Sequence, residues 1–219
     1  MCGRYTLRTK LNILLNQFAA EMAYESEYDA RYNVAPTQQV PAVRLSEDGK
    51  RQLVGLRWGL IPSWAKDAKI AYSTINARAD TVATKPAFRS AFKKHRCLVV
   101  ADGYYEWLKD GKEKQPILYE VDGGQPFAFA GLWEWWPGPA GKDEPIESCT
   151  IITTEANKLA REVHDRMPVI LDAADYDTWL ACEEVPLVPF PVDRMTARPV
   201  NRYVNNARNQ GEKCVAPPD

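Results

Sequence analysis

Apolar residues recur at intervals of three and four in four segments of the chain, a spacing typical of helices that bury one face. The first segment follows Thr9, a good N-cap, and the second begins near Pro86, which suits the first turn of a helix. The third covers residues 155–164, and the fourth begins near Asp172. The residues expected on the apolar faces are Leu11, Leu14, Leu15 and Phe18; Phe88, Ala91 and Phe92; Ala156, Leu159, Ala160 and Val163; and Tyr176, Trp179 and Leu180.

Between these helices the sequence predicts short strands joined by turns. Residues 40–57 predict two strands around the turn SEDGK, and residues 96–121 predict a strand, a hairpin turn at Asp110-Gly111 and a second strand. A turn at 122–124 leads into the strand PFAFAGLWEWW, and ESCTIITT predicts another strand. The loop PGPAGKDEP (137–145) is expected at the surface. The tail of about 192–219 has no strong periodicity and is expected to lie over the body.

Helices that interleave irregularly with hairpins indicate an α+β fold. We expect a single domain over residues 1–219, with mostly antiparallel β-sheets, a barrel-like core and flanking helices. The 219 residues are 45% hydrophobic and 26% charged, an ordinary composition for a soluble globular protein. No apolar run is long enough for a membrane helix, and no signal-peptide pattern is present. The expected location is the cytoplasm, at the nucleoid in a bacterium, or the nucleus in a eukaryote.

Charge and cysteine usage exclude several classes of protein. The net charge of −1 argues against a general polyanion binder, so any phosphate contact must come from a local patch. The five cysteines are odd in number and widely spaced, and no CxxC pair occurs, which argues against a disulfide framework and a structural zinc site. With only two histidines as well, we expect no metal and no cofactor.

The opening MCGRYT places Cys2 directly after Met1. If Met1 is removed, Cys2 carries an α-amine of pKa about 7.7–8.0 beside a thiol of pKa about 8.5, so both are partly nucleophilic near neutrality. Such a 1,2-aminothiol condenses with an aldehyde to a Schiff base, and the thiol then closes a thiazolidine ring on the same carbon. The alternative interpretation is that Cys2 is incidental and Met1 is retained.

Two further residues are candidates for proton transfer. His164, in EVHDRMP, is either a helix-terminal charge or a proton shuttle beside Arg166. Glu106, in ADGYYEW, lies on a strand where alternation allows either direction. If it points outward it is a solvated carboxylate, and if it points inward desolvation makes it a general acid or base.

Other motifs carry groups suited to a nucleic-acid ligand. Asn76 and Arg78 of NARAD share one face of an extended segment, where an amide and a guanidinium suit a sugar oxygen and a phosphate. Arg4 shares a face with Cys2 on an extended N-terminus. Trp64 beside Pro62 in WGLIPSW either belongs to the core or stacks on an unpaired base.

Six motifs follow one another over residues 2 to about 182: CGRY, YNVAPT, WGLIPSW, NARAD, ADGYYEW and HDRMP. In these motifs and in their order the chain resembles the SRAP family of SOS-response-associated proteins. The resemblance implies binding of single-stranded DNA and a covalent thiazolidine link between the N-terminal cysteine and the ring-opened aldehyde of an abasic site, which shields the lesion. It implies that Cys2 is the nucleophile, that Asn76 and Glu106 line its pocket, and that His164 assists Schiff-base chemistry and reversal. The implied DNA-binding residues are Arg4, Pro62, Trp64, Arg78, Trp107, Thr153 and Arg166.

Two other functions stay open from the residues. Cys2, His164 and Glu106 have the residue types of a cysteine hydrolase, which would make the protein a peptidase that removes its own Met1. A non-catalytic single-strand binder would bind intact and abasic strands equally. We expect an abasic-site crosslinking protein that acts as a monomer on single-stranded DNA without a membrane or a cofactor. The loop 137–145 and the tail match no motif of the family.

Overall fold

The computed structural model describes residues 2–23, 28–111, 113–139 and 145–219, with the backbone alone at residue 110. The strands are β1 (Tyr5–Leu7), β2 (Glu21–Met22), β3 (Arg31–Val34), β4 (Gln39–Leu45), β5 (Arg51–Trp58), β6 (Asn76–Arg78), β7 (Arg96–Ala101), β8 (Gly103–Asp110), β9 (Glu113–Val121), β10 (Phe127–Trp136), β11 (Ile146–Glu155), β12 (Arg166–Pro168), β13 (Ile170–Leu171) and β14 (Met195–Pro199). The helices are α1 (Leu11–Gln17), α2 (Arg89–Lys94), α3 (Lys158–Arg161) and α4 (Tyr176–Leu180). Five 3₁₀ turns cover Ala68–Tyr72, Ala173–Asp175, Val192–Arg194, Arg202–Asn205 and Glu212–Cys214.

The strands form two sheets. The smaller has the order β14-β9-β8-β1-β3 and is antiparallel throughout. The larger has the order β12-β11-β10-β7-β4-β5-β2, with β13 on β10 and β6 on β11. Most of its pairs are antiparallel, but β6 and β5 run parallel to β11, and β2 runs parallel to β5. The α+β prediction, with a mostly antiparallel, barrel-like core and flanking helices, is confirmed.

Aromatic side chains pack between the two sheets. The Tyr5 ring lies 5.4 Å from Trp58 and 5.8 Å from Phe129, which belong to the larger sheet. Tyr104 stacks on Tyr119 at 4.9 Å within the smaller sheet. All five side chains are fully buried, so they exclude water beneath the first strand of the chain.

Asp102 fixes the start of the chain onto this core. Its buried carboxylate accepts hydrogen bonds from the Thr6 hydroxyl at 2.6 Å and from the backbone N–H of Arg8 at 2.5 Å and of Thr9 at 2.8 Å. The Thr9 hydroxyl also donates to it at 2.9 Å. Thr9 therefore does not cap α1 as predicted, and Lys10 takes the N-cap position without a side-chain bond.

The predicted helices exist, but two of them are shorter than predicted. α2 begins at Arg89, three residues after Pro86, and ends with His95 as its C-cap. α3 is a single turn that Asn157 caps by accepting from the N–H of Ala160 at 2.9 Å. His164 therefore lies beyond the helix that the sequence predicted it would end.

The strand predictions hold except at two places. The run after residue 96 is two strands in different sheets, because the chain changes sheet at Asp102. The tail does more than lie over the body, since β14 pairs with β9 from Met195↔Val121 to Pro199↔Ile117. The predicted loop 137–145 lies partly outside the described residues.

Candidate active site

Cys2 lies where the two sheets meet. β1 pairs with β8 at Tyr5↔Tyr104, and the N–H of Tyr105 donates to the Arg4 oxygen at 3.0 Å, so the first residues run beside the strand that carries Glu106. From the other side, Asn76 Nδ2 donates to the Cys2 backbone oxygen at 2.8 Å. Cys2, Asn76 and Glu106, which are far apart in the sequence, thus lie near one another.

The Cys2 side chain is fully buried. This burial, and then the nearby charge of Glu106, raises the pKa of the Cys2 thiol well above its ordinary value. The thiol is therefore neutral at physiological pH and must lose its proton to a neighbour before it attacks.

Glu106 points inward, and its side chain is only 4% exposed. Burial raises the pKa of Glu106 to about 6. Of the two directions that strand alternation left open for Glu106, the structure has the inward one. A carboxyl group with this pKa exchanges its proton readily near neutral pH.

His164 sits in the turn between α3 and β12, with its side chain 34% exposed. Its Nδ1 accepts from the backbone N–H of Arg166 at 3.1 Å and also lies 2.8 Å from Asp165 Oδ1. These contacts belong to different protonation states, because only a neutral Nδ1 accepts and only a protonated one donates to a carboxylate. Partial burial, with a contribution from the Arg166 charge, lowers the pKa of His164, which favours the neutral ring with its proton on Nε2.

Two arginines lie side by side at the edge of the larger sheet. β11 pairs with β6 at Thr153↔Arg78 and with β12 at Glu155↔Arg166. Arg78 is half-exposed and makes a two-bond ion pair with Asp80, at 3.0 and 2.6 Å. Arg166 donates to the backbone oxygen of Thr153 at 2.5 Å and to its hydroxyl at 2.9 Å. Thr153 is fully buried, so in this structure it contacts Arg166 rather than the surface.

The third arginine, Arg4, lines a different cavity from these two. Its Nη1 donates to Asn33 Oδ1 at 2.6 Å, and its guanidinium carbon lies 5.4 Å from the centre of the Trp107 ring. Trp64 is 59% exposed on the loop after β5, whereas Pro62 is buried. Neither belongs to the set of residues that lines the cleft described next.

Arg78 and Arg166 together line a pocket of about 370 Å³. A larger open cleft of about 850 Å³ is lined by Arg4, Glu106, Trp107 and His164, and Cys2, Asn76 and Thr153 are not among its lining residues. The sequence interpretation missed four more lining residues: Glu113, Lys114, Arg202 and Asn205. They come from the hairpin after β8 and from the C-terminal tail, where no motif or periodicity marked them.

Other features of the described residues do not add chemistry to this cleft. Another cavity, of about 330 Å³, is lined mainly by apolar residues of α1, β4 and β5. Among the residues that the structure describes, no group of three histidine, cysteine or acidic side chains is placed to hold a metal ion. None of the helices described is long and apolar enough to cross a bilayer.

Comparisons with known proteins agree with the motifs. A family model described as SOS response associated peptidase (SRAP) matches residues 1–207, beyond the stretch that the motifs cover. The abasic site processing protein YoqW of Bacillus subtilis (strain 168) is 41% identical over 98% of this chain and 99% of that protein. The abasic site processing protein HMCES of Xenopus tropicalis is 34% identical over 87% of this chain and 67% of that protein. The crystal structure of a protein from Bacteroides thetaiotaomicron superposes with a TM-score of 0.87 at 28% identity, over 99% of both chains.

Proposed function

This chain belongs to the SRAP family, and on that premise we propose that it processes abasic sites by capturing their aldehyde in single-stranded DNA through Cys2. The observation that carries the proposal is the placement of Cys2. Asn76 holds its backbone, and the charge of Glu106, which lines the cleft with Arg4 and His164, acts on its thiol. Removal of Met1 then gives Cys2 an α-amine next to its thiol.

The first step is attack of the α-amine on the aldehyde carbon, which forms a C–N bond and, after proton transfer, a carbinolamine. Protonated Glu106 gives its proton to the carbinolamine hydroxyl, which leaves as water, and an iminium ion remains. The pKa of about 6 for Glu106 supports this role, since part of the population is protonated near neutrality.

The second step closes the ring. The Glu106 carboxylate takes the thiol proton, the sulfur adds to the iminium carbon, and the nitrogen keeps its electron pair as a neutral amine. The net reaction consumes amine, thiol and aldehyde and releases one water, and Glu106 returns to its starting protonation state. Because amine and thiol belong to one residue, this addition is intramolecular.

The proposed role of His164 is proton transfer to the sugar of the abasic site. An abasic site is mostly a closed ring, and only its open form has an aldehyde. In its protonated form, with Nδ1 2.8 Å from Asp165 Oδ1, His164 gives its Nε2 proton to the ring oxygen as the sugar opens, and Nε2 recovers a proton from the C1 hydroxyl that becomes the aldehyde. The same group assists the reverse reaction.

The basic side chains define the proposed DNA path. Arg4 and Trp107 line the cleft, and Arg78 and Arg166 line a smaller pocket, so the proposed path carries guanidiniums for phosphates in both places and an indole for a base. The overall charge of −1 makes such a local patch necessary.

A cysteine peptidase is the second candidate, since Cys2, Glu106 and His164 meet near one cleft. Burial of the thiol and its raised pKa argue against it, because peptidases of this type need a thiolate stabilised by a neighbouring cation. Removal of Met1, by an aminopeptidase or by the protein itself, is compatible with either candidate.

The decisive experiment is incubation with a single strand that carries one true abasic site, followed by a denaturing gel and intact-mass spectrometry. The wild-type protein should give a heat-stable adduct whose mass is protein without Met1 plus DNA minus one water. Cys2→Ala should lose this adduct but keep one trapped by borohydride, because its α-amine remains. Cys182→Ala, outside the cleft, is the matched control. A stable adduct of undiminished yield from Cys2→Ala contradicts the proposal, and turnover of peptide substrates without any adduct favours the peptidase.

A further inference from the structure

The side chain of Arg4, just before β1, is held by two segments that are distant from it in the sequence. Its Nη1 donates to Asn33 Oδ1 at 2.6 Å and to the backbone oxygen of Val204 at 3.2 Å. Asn33 belongs to the motif YNVAPT on β3, and Val204 belongs to the C-terminal tail. The direction of a guanidinium in the cleft thus depends on two segments that the proposed chemistry does not use.

Asn33 joins Arg4 to the tail. Its amide is buried, and Nδ2 lies 3.2, 3.0 and 2.9 Å from the backbone oxygens of Val204, Asn206 and Asn209. Gln210 closes the contact, because its side chain accepts from the Asn33 N–H at 3.2 Å and donates to the Asn33 oxygen at 3.0 Å. The Asn33 amide accepts from Arg4 through Oδ1 and donates to the tail through Nδ2. It therefore fixes the position of the Arg4 guanidinium relative to the tail.

Asn205 fixes the orientation of the Trp107 ring. Its Oδ1 accepts from Trp107 Nε1 at 2.7 Å, and its Nδ2 donates to the Lys114 oxygen at 3.1 Å. The indole plane is therefore fixed at its polar edge, with the Arg4 guanidinium 5.4 Å from the ring centre. Asn205 is exposed and lines the cleft, so this bond is not a requirement of core packing.

We propose that residues 201–210 form a wall of the DNA-binding cleft, in which Asn33 and Asn205 are positioning residues for Arg4 and Trp107. Held in this way, Arg4 and Trp107 offer a preformed platform for the nucleotide beside the captured sugar. Arg202, paired with Glu113, and Lys114 add positive charge on the same side. The identity of the ligand rests on the proposed function, whereas the positioning network is read directly from the contacts.

The test is a double-mutant cycle on affinity for a single strand that carries a tetrahydrofuran abasic analogue, which has no aldehyde and cannot crosslink. Loss of the hydrogen bond in Asn205→Leu should weaken binding about fivefold. In a Trp107→Phe background, which lacks the indole N–H, the same substitution should weaken binding by less than about twofold. Asn12→Leu, an exposed asparagine on α1, is the matched control and should leave the affinity unchanged.

A second measurement separates positioning from a general loss of structure. At saturating concentrations of DNA with a true abasic site, Asn205→Leu should crosslink within about twofold of the wild-type rate, because the chemistry of Cys2 is untouched. Asn33→Asp, which keeps the acceptor for Arg4 but loses the donor to the tail, should show the same split between affinity and rate. If it fails to fold, the Asn205 cycle decides alone.

Unchanged affinity in Asn205→Leu, or an equal loss with and without the indole N–H, overturns the inference. Because the analogue cannot react, this result is independent of whether Cys2 crosslinks DNA. If the wild-type protein forms no adduct, the proposed function is wrong. The double-mutant cycle on affinity still tests whether residues 201–210 form a wall of the cleft.

Discussion

The amide of Asn76 and the backbone oxygen of Cys2, 74 residues apart, are joined by a hydrogen bond of 2.8 Å. The bond fixes the backbone of the proposed nucleophile rather than its thiol. It also leaves Asn76 Oδ1 buried and without a partner among the described residues. A buried acceptor beside Cys2 is suited to an N–H group of the mature terminus or a hydroxyl of the bound sugar.

Replacement of Asn76 by aspartate should slow crosslinking about tenfold or more at saturating DNA, because the donor to Cys2 is lost and a second carboxylate enters the pocket. The measurement is the single-turnover rate of adduct formation. Asn12→Asp, with the same chemical change on exposed α1, should react at the wild-type rate. An Asn76→Asp variant of unchanged rate would show that the hydrogen bond does not position the nucleophile.

The rate of adduct formation should have a bell-shaped dependence on pH. The reactive state carries one proton shared between the α-amine, of ordinary pKa about 7.7–8.0, and Glu106, whose pKa burial raises to about 6. Below pH about 6 both groups are protonated and above about 8 neither is, so the rate falls on both sides. Glu106→Gln should be slower, and its rate should rise to a plateau above pH about 8, because only the α-amine still titrates. A bell-shaped profile that persists in that variant would show that another group supplies the proton.

His164→Ala should slow both adduct formation and its reversal, by about tenfold to a hundredfold, since ring opening and closure lose their proton donor. Affinity for the tetrahydrofuran strand should stay within about threefold, because a single uncharged contact is lost. His95→Ala is the matched control at the end of α2, outside the cleft. Equal rates for His164→Ala and wild type would exclude the imidazole from the reaction.

Asp80→Asn should strengthen binding of single-stranded DNA. Asp80 occupies both donors of the Arg78 fork, and this contact holds the pKa of Asp80 at about 2, so the pair is intact at any physiological pH. Release of Arg78 for a phosphate should also make the dependence of log affinity on log salt steeper by up to about one unit. Asp48→Asn, an exposed acid paired with Lys50, removes the same charge elsewhere and should leave the salt dependence unchanged.

Tyr104→Phe should leave stability unchanged or raise it by up to about 1 kcal/mol, since its buried hydroxyl has no hydrogen-bond partner among the described residues. Tyr105→Phe is the natural contrast, because that hydroxyl donates to the Tyr32 oxygen at 2.8 Å. Its loss should destabilise the protein by about 1 kcal/mol. Denaturant unfolding of both variants measures the difference. A marked loss of stability in Tyr104→Phe would show that the hydroxyl is satisfied in solution.

The sequence pattern was sufficient to predict elements that depend on residues close together in the chain. The turn residues of 46–50 and 110–111 predicted the hairpins of β4 with β5 and of β8 with β9, and the spacing of Tyr176, Trp179 and Leu180 predicted α4. The helix at 155–164 was overestimated, because the apolar spacing continues past the single turn that Asn157 caps. The change of sheet at Asp102 left no trace in the pattern, since apolar and aromatic residues continue on both sides of it.

The sequence by itself determined which chemical groups this protein has: an aminothiol once Met1 is removed, the carboxylate of Glu106 between aromatic residues, the imidazole of His164 close to Arg166, and the order of motifs that marks the family. Only the tertiary structure decided which way Glu106 points and what lies opposite Arg4. Alternation along β8 allows Glu106 to lie on either face of the strand. The packing of Tyr104 and Tyr105 in two different hydrophobic clusters fixes which face it takes. The tail reaches the cleft through several hydrogen bonds to Asn33 and one to Trp107. Such bonds depend on where distant segments meet and leave no periodic signal in the chain.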